Sequence, residues 1–168
     1  VETPLGGVRP STSPAVVCAG AKAECLLAWH QYGIRDSMPY ADIHAVRIGL
    51  DGQRLGTKYF LTNDGAWQDF PAVSYDPAAG IYAVAHTYVP NTSEVWVHRI
   101  EAGSGAHFGH TVLATGVSIR KPEIAFNSAS GQFLASYYEE TSDHIYGRFM
   151  KSDGTLTSPV IPLLGGYS

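Results

Sequence analysis

The sequence predicts an all-β fold made of three four-stranded repeats arranged as β-propeller-like blades, with a β-trefoil as the alternative. Three observations carry this prediction. The stretch PAVSYDPAAGIYAVAH (71–86) returns as PEIAFNSASGQFLASY (122–137) and is preceded by PAVVCAGAKAECLLAW (14–29). In each copy, apolar and aromatic residues fall at every second position on both sides of a turn, which is the period of a strand and not of a helix. Gly 18 and Pro 10 in 168 residues supply frequent turns, and no segment of helical periodicity is long enough to count.

Each unit reads in the same order. Pro14, Pro71 and Pro122 open it, followed by Val16, Val73 and Ile124, then Cys18, Tyr75 and Phe126. After the turn come Cys25, Tyr82 and Phe133, then Leu27, Val84 and Ala135, then Trp29, His86 and Tyr137. These two runs form a hairpin. A third strand is expected in 42–50, 94–102 and 144–152, ending at Asp51-Gly52, Gly103-Ser104 and Asp153-Gly154, which suit a tight turn with positive φ. The fourth lies in TKYFLT, HTVLAT and SPVIPL.

Runs such as CLLAW and IYAVA are apolar on both faces, as expected of a blade covered by neighbours on both sides. The boundaries are 14–70, 71–121 and 122–168, with 1–13 as the tail of a preceding unit, all in one repeat domain 1–168. Three blades alone do not close a ring, and a trefoil needs three units. A segment cut from a longer array, or assembly of copies into a ring, is therefore expected. The start at Val1, with no signal-peptide pattern, adds the expectation of a mature or excised segment.

The cadence P-x-V-x-Y-x(6)-Y-x-V-x-[WHY], then I-x-x-x-R or I-x-G-R, then D-G, resembles the degenerate repeats of bacterial secreted β-propeller-like proteins. The resemblance implies a binding module or an appendage of a secreted enzyme. It names no reaction, because one fold hosts many functions.

Composition excludes some partners. With 11 basic against 15 acidic residues there is no basic stripe for a phosphate backbone, so no nucleic acid partner is expected. No apolar run approaches the ~20 residues that span a bilayer, so no membrane span is expected. Cys18 and Cys25 occupy positions that face each other across the first hairpin, where Cβ atoms are close enough for a disulfide; buried free thiols are the alternative. A disulfide implies an oxidising compartment, extracellular or periplasmic.

No catalytic, cofactor or metal site is legible. His30, His44, His86, His98, His107, His110 and His144 show no HExxH pattern and share no position in all three units. His107 and His110 fall in GAHFGH, read as a turn, and lack a third ligand. GxSxG is absent, and SYDPAAG (74–80) fails as a sialidase Asp-box in glycine position, missing tryptophan and placement. Arg47, Arg99 and Arg148 fall on the third strands, but Arg148 is one residue out of step and points to the opposite face. Asp69, Glu139 and Glu140 could supply a carboxylate pair, whose separation sequence does not reveal.

What remains is recognition by the rim loops, read as QYGIRDSMPYAD, TYVPNTSE and EETSD with NDGAWQDF and GVSIRK beside them. They offer Tyr32, Arg35, Tyr40, Trp67, Asp69, Tyr88, Arg120 and Glu140 as ligand-binding candidates, a mixture suited to sugar stacking or protein contact. Asn91-Thr92-Ser93 is a formal glycosylation sequon. The expected function is a non-catalytic recognition or scaffold module for carbohydrate or protein, as a homo-oligomer or with further repeats of a parent protein. The alternative is part of a secreted hydrolase, a glycosidase or protease, with catalytic residues partly outside the segment.

Overall fold

The computed structural model describes residues 11–35, 38–90 and 92–165, apart from the side chains of Ser11, Ile34, Arg35, Met38 and Pro39. Most of the expected 1–13 tail and Asn91 of the sequon lie outside the described residues. The first blade is β1 (Ser11–Ala19), β2 (Glu24–Arg35), β3 (Met38–Gly49) and β4 (Arg54–Phe60). The second is β5 (Trp67–Asp76), β6 (Ile81–Val89), β7 (Ser93–Glu101) and β8 (His107–Gly116). The third is β9 (Ile119–Asn127), β10 (Gln132–Glu139), β11 (His144–Met150) and β12 (Ile161–Leu164). Each is an antiparallel meander. Blades one and two share one parallel bridge, Ala41 to Trp67, while the third is a separate sheet.

The opening prolines have a physical reason. Proline donates no backbone hydrogen bond and is confined to strands with a free edge. Pro14, Pro71 and Pro122 lie on β1, β5 and β9, each the first strand of its blade's meander. The first-hairpin turns repeat as well. Asp76 Oδ1 accepts from the N–H groups of Ala78 and Ala79, and Asn127 Oδ1 accepts from those of Ala129 and Ser130. Gly80 and Gly131 then take φ of 70° and 66°. In the first blade this position is Ala23, at φ 53°, closing a single 3₁₀ turn, Gly20–Lys22.

The two-sided apolar pattern is used as expected in the middle blade. Tyr82 and Val84 pack with Leu26, Ala28, Ile43 and Ala45 of the first blade, and Ala83 and Ala85 pack with Ile124, Phe133 and Ala135 of the third. In each neighbouring pair, the face carrying Tyr82 or Phe133 meets the preceding blade. We call it the leading face and its opposite the trailing face.

Cys18 and Cys25 form a disulfide on the leading face of the first blade, opposite each other in register. Tyr75 with Tyr82, and Phe126 with Phe133, make the equivalent cross-strand ring contacts at 4.9 and 5.1 Å. The bond closes only a short loop, so Cys18→Ala with Cys25→Ala should lower unfolding stability by about 2 kcal/mol, the low end of the disulfide range. Urea denaturation of both forms reads this directly.

A second contact also repeats between blades. Arg47 on β3 donates from Nη1 to the Gly103 carbonyl (2.6 Å), and Tyr59 on β4 donates its hydroxyl to the Gly105 carbonyl (2.9 Å). One blade later, Arg99 donates to the Asp153 carbonyl (2.5 Å) and Thr111 to the Gly154 carbonyl (3.3 Å). Blades one and two thus each grip the β3–β4-type turn of the next with an arginine and a hydroxyl. Register shows that the equivalent positions of the third blade are Phe149, opposite Leu134, and Ile161, opposite Gly147. Arg148 faces the other way, opposite Ala135, as its spacing predicts, and reaches the Leu113 carbonyl.

Candidate functional site

The rim candidates are mostly strand-end residues and not loop residues, which corrects the sequence reading. β2 and β3 extend through QYGIR and MPYA, placing Tyr32, Arg35 and Tyr40 on strands. Trp67 and Asp69 lie on β5, Tyr88 on β6 and Arg120 on β9, and only Glu140 lies in a turn. The longer strands have a cause: polar residues at the ends of β1, β5 and β9 still pair with the adjacent strand, so hydropathy alone ended these strands too early. His107 and His110 likewise lie on β8 and not in a turn.

The rim is built on a repeated bulge. Two residues before each proline stand Thr12, Asp69 and Arg120, paired with His30, Thr87 and Tyr138 at equivalent register positions. The residue between is held at positive φ in all three blades, Ser13 at 50°, Phe70 at 52° and Lys121 at 48°. Left-handed backbone at non-glycine residues costs of order 1 kcal/mol or more and persists where the surrounding structure enforces it. Here the strand register shifts at the same point in each blade. The three Xaa-Pro pairs, with Glu123, line one cleft of about 230 Å³ where the first strands of the blades converge.

Next to the cleft-lining residues in sequence, side chains of the first two blades form a network, and the charge of Arg120 on the third acts on it through Asp69. Tyr32 contacts His30 at 4.7 Å and Trp67 at 5.3 Å between ring centroids. Trp67 Nε1 donates to Asp69 Oδ2 (2.9 Å), and Thr12 Oγ1 bonds His30 Nε2. Arg120 Nε donates to Glu140 Oε1 (2.8 Å) in an exposed pair. Burial pushes the Asp69 carboxyl up, against the Trp67 hydrogen bond and the charges of His30 and Arg120. Burial also holds His30 below the ordinary imidazole range, against the nearby Asp69 carboxylate. Both groups are therefore biased towards neutrality, suiting hydrogen bonding more than ion pairing.

Tyr32, Trp67, Asp69, Arg120 and Glu140 thus belong to one region spanning three blades. Tyr40 lies across Gly33 on the paired strand, so close that a Cβ there would sit 2.4 Å from the ring. Tyr88 belongs to a different cluster, stacked on Trp96 at 3.8 Å, and its hydroxyl is pushed up to about 12 by burial and by its bond to Asp64. The Arg35 side chain lies outside the described residues. Among the described residues, no three His, Cys, Asp or Glu side chains are placed to hold a metal ion.

Sequence reasoning missed a second cluster, a row of imidazoles on the leading face of blade two. His86 Nδ1 lies 2.9 Å from the Thr87 carbonyl, which only accepts, so Nδ1 carries the proton and Nε2 accepts. His98 Nε2 must then donate to His86 Nε2 (3.1 Å), leaving His98 Nδ1 to accept from His107 Nε2 (3.1 Å). One carbonyl sets three tautomers. Beside the row, Trp96 is stacked between Tyr88 and His110 at 3.8 Å each. The pairing was hidden because the histidines come from three strands, with a bulge in β8 shifting its register.

No protein-family description and no curated protein matches the chain. Among solved structures, the chain is similar to the β-propeller domain of the Trilobed protease from Pyrococcus furiosus, described as having an open velcro topology. The TM-score is 0.52 at 12% identity, covering 95% of this chain and 44% of that one. The chain therefore spans less than half of the matched chain's length, and the likeness identifies the fold as propeller-like.

Proposed function

We propose that the chain is a non-catalytic recognition or scaffold module that binds carbohydrate or protein at the rim where its three blades converge. The observation supporting this is the repeat-equivalent trio Thr12, Asp69 and Arg120, each adjacent in sequence to a residue lining the cleft shared by all three blades, with Trp67 bonded to Asp69 and in ring contact with Tyr32. Aromatic rings offer broad contact area, and a tryptophan with a hydrogen-bonded carboxylate adds direction. The Cys18–Cys25 disulfide supports an extracellular or periplasmic setting. Among the described residues, no helix is long and apolar enough to cross a membrane.

The hydrolase alternative draws support from the similar propeller domain's being part of a protease. A glycan array run beside a hydrolase substrate panel separates the two. Saturable binding without turnover supports the module; turnover overturns it. Trp67→Ala should weaken that binding by tenfold or more, equivalent to at least about 1.4 kcal/mol. An unchanged affinity removes the rim from the proposal.

A further inference from the structure

The two internal blade contacts have a common grammar. The β2-type strand of one blade, through Tyr82, Val84 and His86 or through Phe133, Ala135 and Tyr137, lays its leading face on the trailing face of the blade before it. Among the described residues, the first blade carries this leading face without a blade against it. Cys25, Leu27 and Trp29 hold the equivalent positions and are half-buried, and Val16, opposite Leu27, is 63% exposed. Phe60, beside His44 on the same face, is 59% exposed.

The third blade carries the complementary trailing face. Leu134, Ser136 and Tyr138 take the places of Leu26, Ala28 and His30, facing Phe149, Gly147 and Ile145. Gly147 leaves room for Leu134 and Leu163 to close over it, since a Cβ there would sit 2.9 Å from Leu163 and 3.1 Å from Leu134. At this face the gripping arginine and hydroxyl are replaced by Phe149 and Ile161. One chain therefore presents both halves of its own blade contact, both with apolar centres.

We infer that the leading face of the first blade docks on the trailing face of the third blade of a second copy, head to tail. The occupant follows from the contact already made twice within the chain, whose register both faces continue. Two copies engaged at both ends hold six blades and close on themselves, the condition under which a head-to-tail contact stops growing. Without the arginine and hydroxyl grip this contact is weaker than the two internal ones, so assembly is concentration-dependent.

Sedimentation equilibrium over a concentration series tests this, using Leu27→Glu on the leading face and Leu134→Glu on the trailing face. The natural chain should rise from 18.0 kDa towards twice that mass. Each variant alone should stay at the mass of one chain. Their mixture should gain mass over either variant alone, because the leading face of the Leu134→Glu copy still meets the trailing face of the Leu27→Glu copy, one of the two contacts in the closed pair. If Leu27→Glu unfolds the chain, Val16→Glu addresses the same face from a more exposed position. A natural chain that keeps the mass of one copy throughout overturns the inference. Disruption by only one of the two variants also overturns it, since that marks a like-with-like contact.

Discussion

Replacing Arg47 with alanine is expected to remove about 3–5 kcal/mol of folding stability, although its repeat equivalent Arg99 should cost about 1 kcal/mol. The two arginines grip the following blade in the same way, but only Arg47 holds a buried acid. Its Nη1 lies 3.1 Å from Glu24 Oε2, with both side chains nearly inaccessible. Glu24 also receives the Gly103 N–H (2.9 Å) and the Tyr82 hydroxyl. Removing the guanidinium leaves a carboxylate inside the contact between blades one and two, where desolvation outweighs any relaxation. Arg99 is more exposed and bonds only carbonyls, those of Asp153 and Phe108. Glu24→Gln in the Arg47→Met background should recover most of the loss, because the unpaired charge goes with it. Urea midpoints at constant m-value decide the matter. Equal losses at Arg47 and Arg99 would show that the turn grip, and not the buried charge, carries the energy.

The sequence made the blade plan legible where side chains alternate between two buried faces. Tyr82, Val84, Ala83 and Ala85 sort to opposite faces by the period of a strand, and the same period placed Cys18 against Cys25 and turned Arg148 away from Arg47 and Arg99. It failed where polar residues continue a strand. Gln68 and Asp69 are buried, and Thr12, Asp69 and Arg120 keep their cross-strand partners, yet hydropathy reads them as loop. It also failed where a site is assembled across strands. Nothing in the spacing of His86, His98 and His107 shows that they line up in one row, because the alignment depends on register and on a bulge. The gripping pairs are half hidden: spacing aligns Arg47 with Arg99, but Tyr59 and Thr111 become equivalent only once strand partners are known.

That imidazole row sets the second large expectation, a loss of stability in acid. Burial holds His86 down to about 4, against its bond to the Thr87 carbonyl, with His110 lowering it further and Asp64 opposing. His98 is driven below the ordinary range by burial and by the charges of His86, His107 and His110. His107 and His110 are lowered too, chiefly by burial, with Arg99 adding to the effect on His107 and Glu94 opposing it on His110. Well above pH 6.5 neither the folded nor the unfolded chain protonates these rings, and the fold carries no penalty. Between about 4 and 6.5 the unfolded chain takes up protons that the fold refuses, so stability falls as pH falls. For His86 alone the gap amounts to about 3 kcal/mol at 1.36 kcal/mol per pH unit. Neither His86 nor His98 can take a second proton and keep the row's bonds, because His86 Nε2 and His98 Nδ1 are its acceptors. The row lies on the leading face of blade two, with Tyr82 and Val84, whereas the opposite face meets blade three through alanines, aliphatic residues, Phe133 and Tyr137. Acid should therefore loosen the side of blade two that faces blade one first. Hydrogen exchange at pH 5 against pH 7.5 should show β2, β3 and β6 losing protection before β9 and β10. In His86→Leu with His98→Met, the acid limb of the denaturation profile should flatten. If that limb is unchanged in the double variant, the row is not its origin.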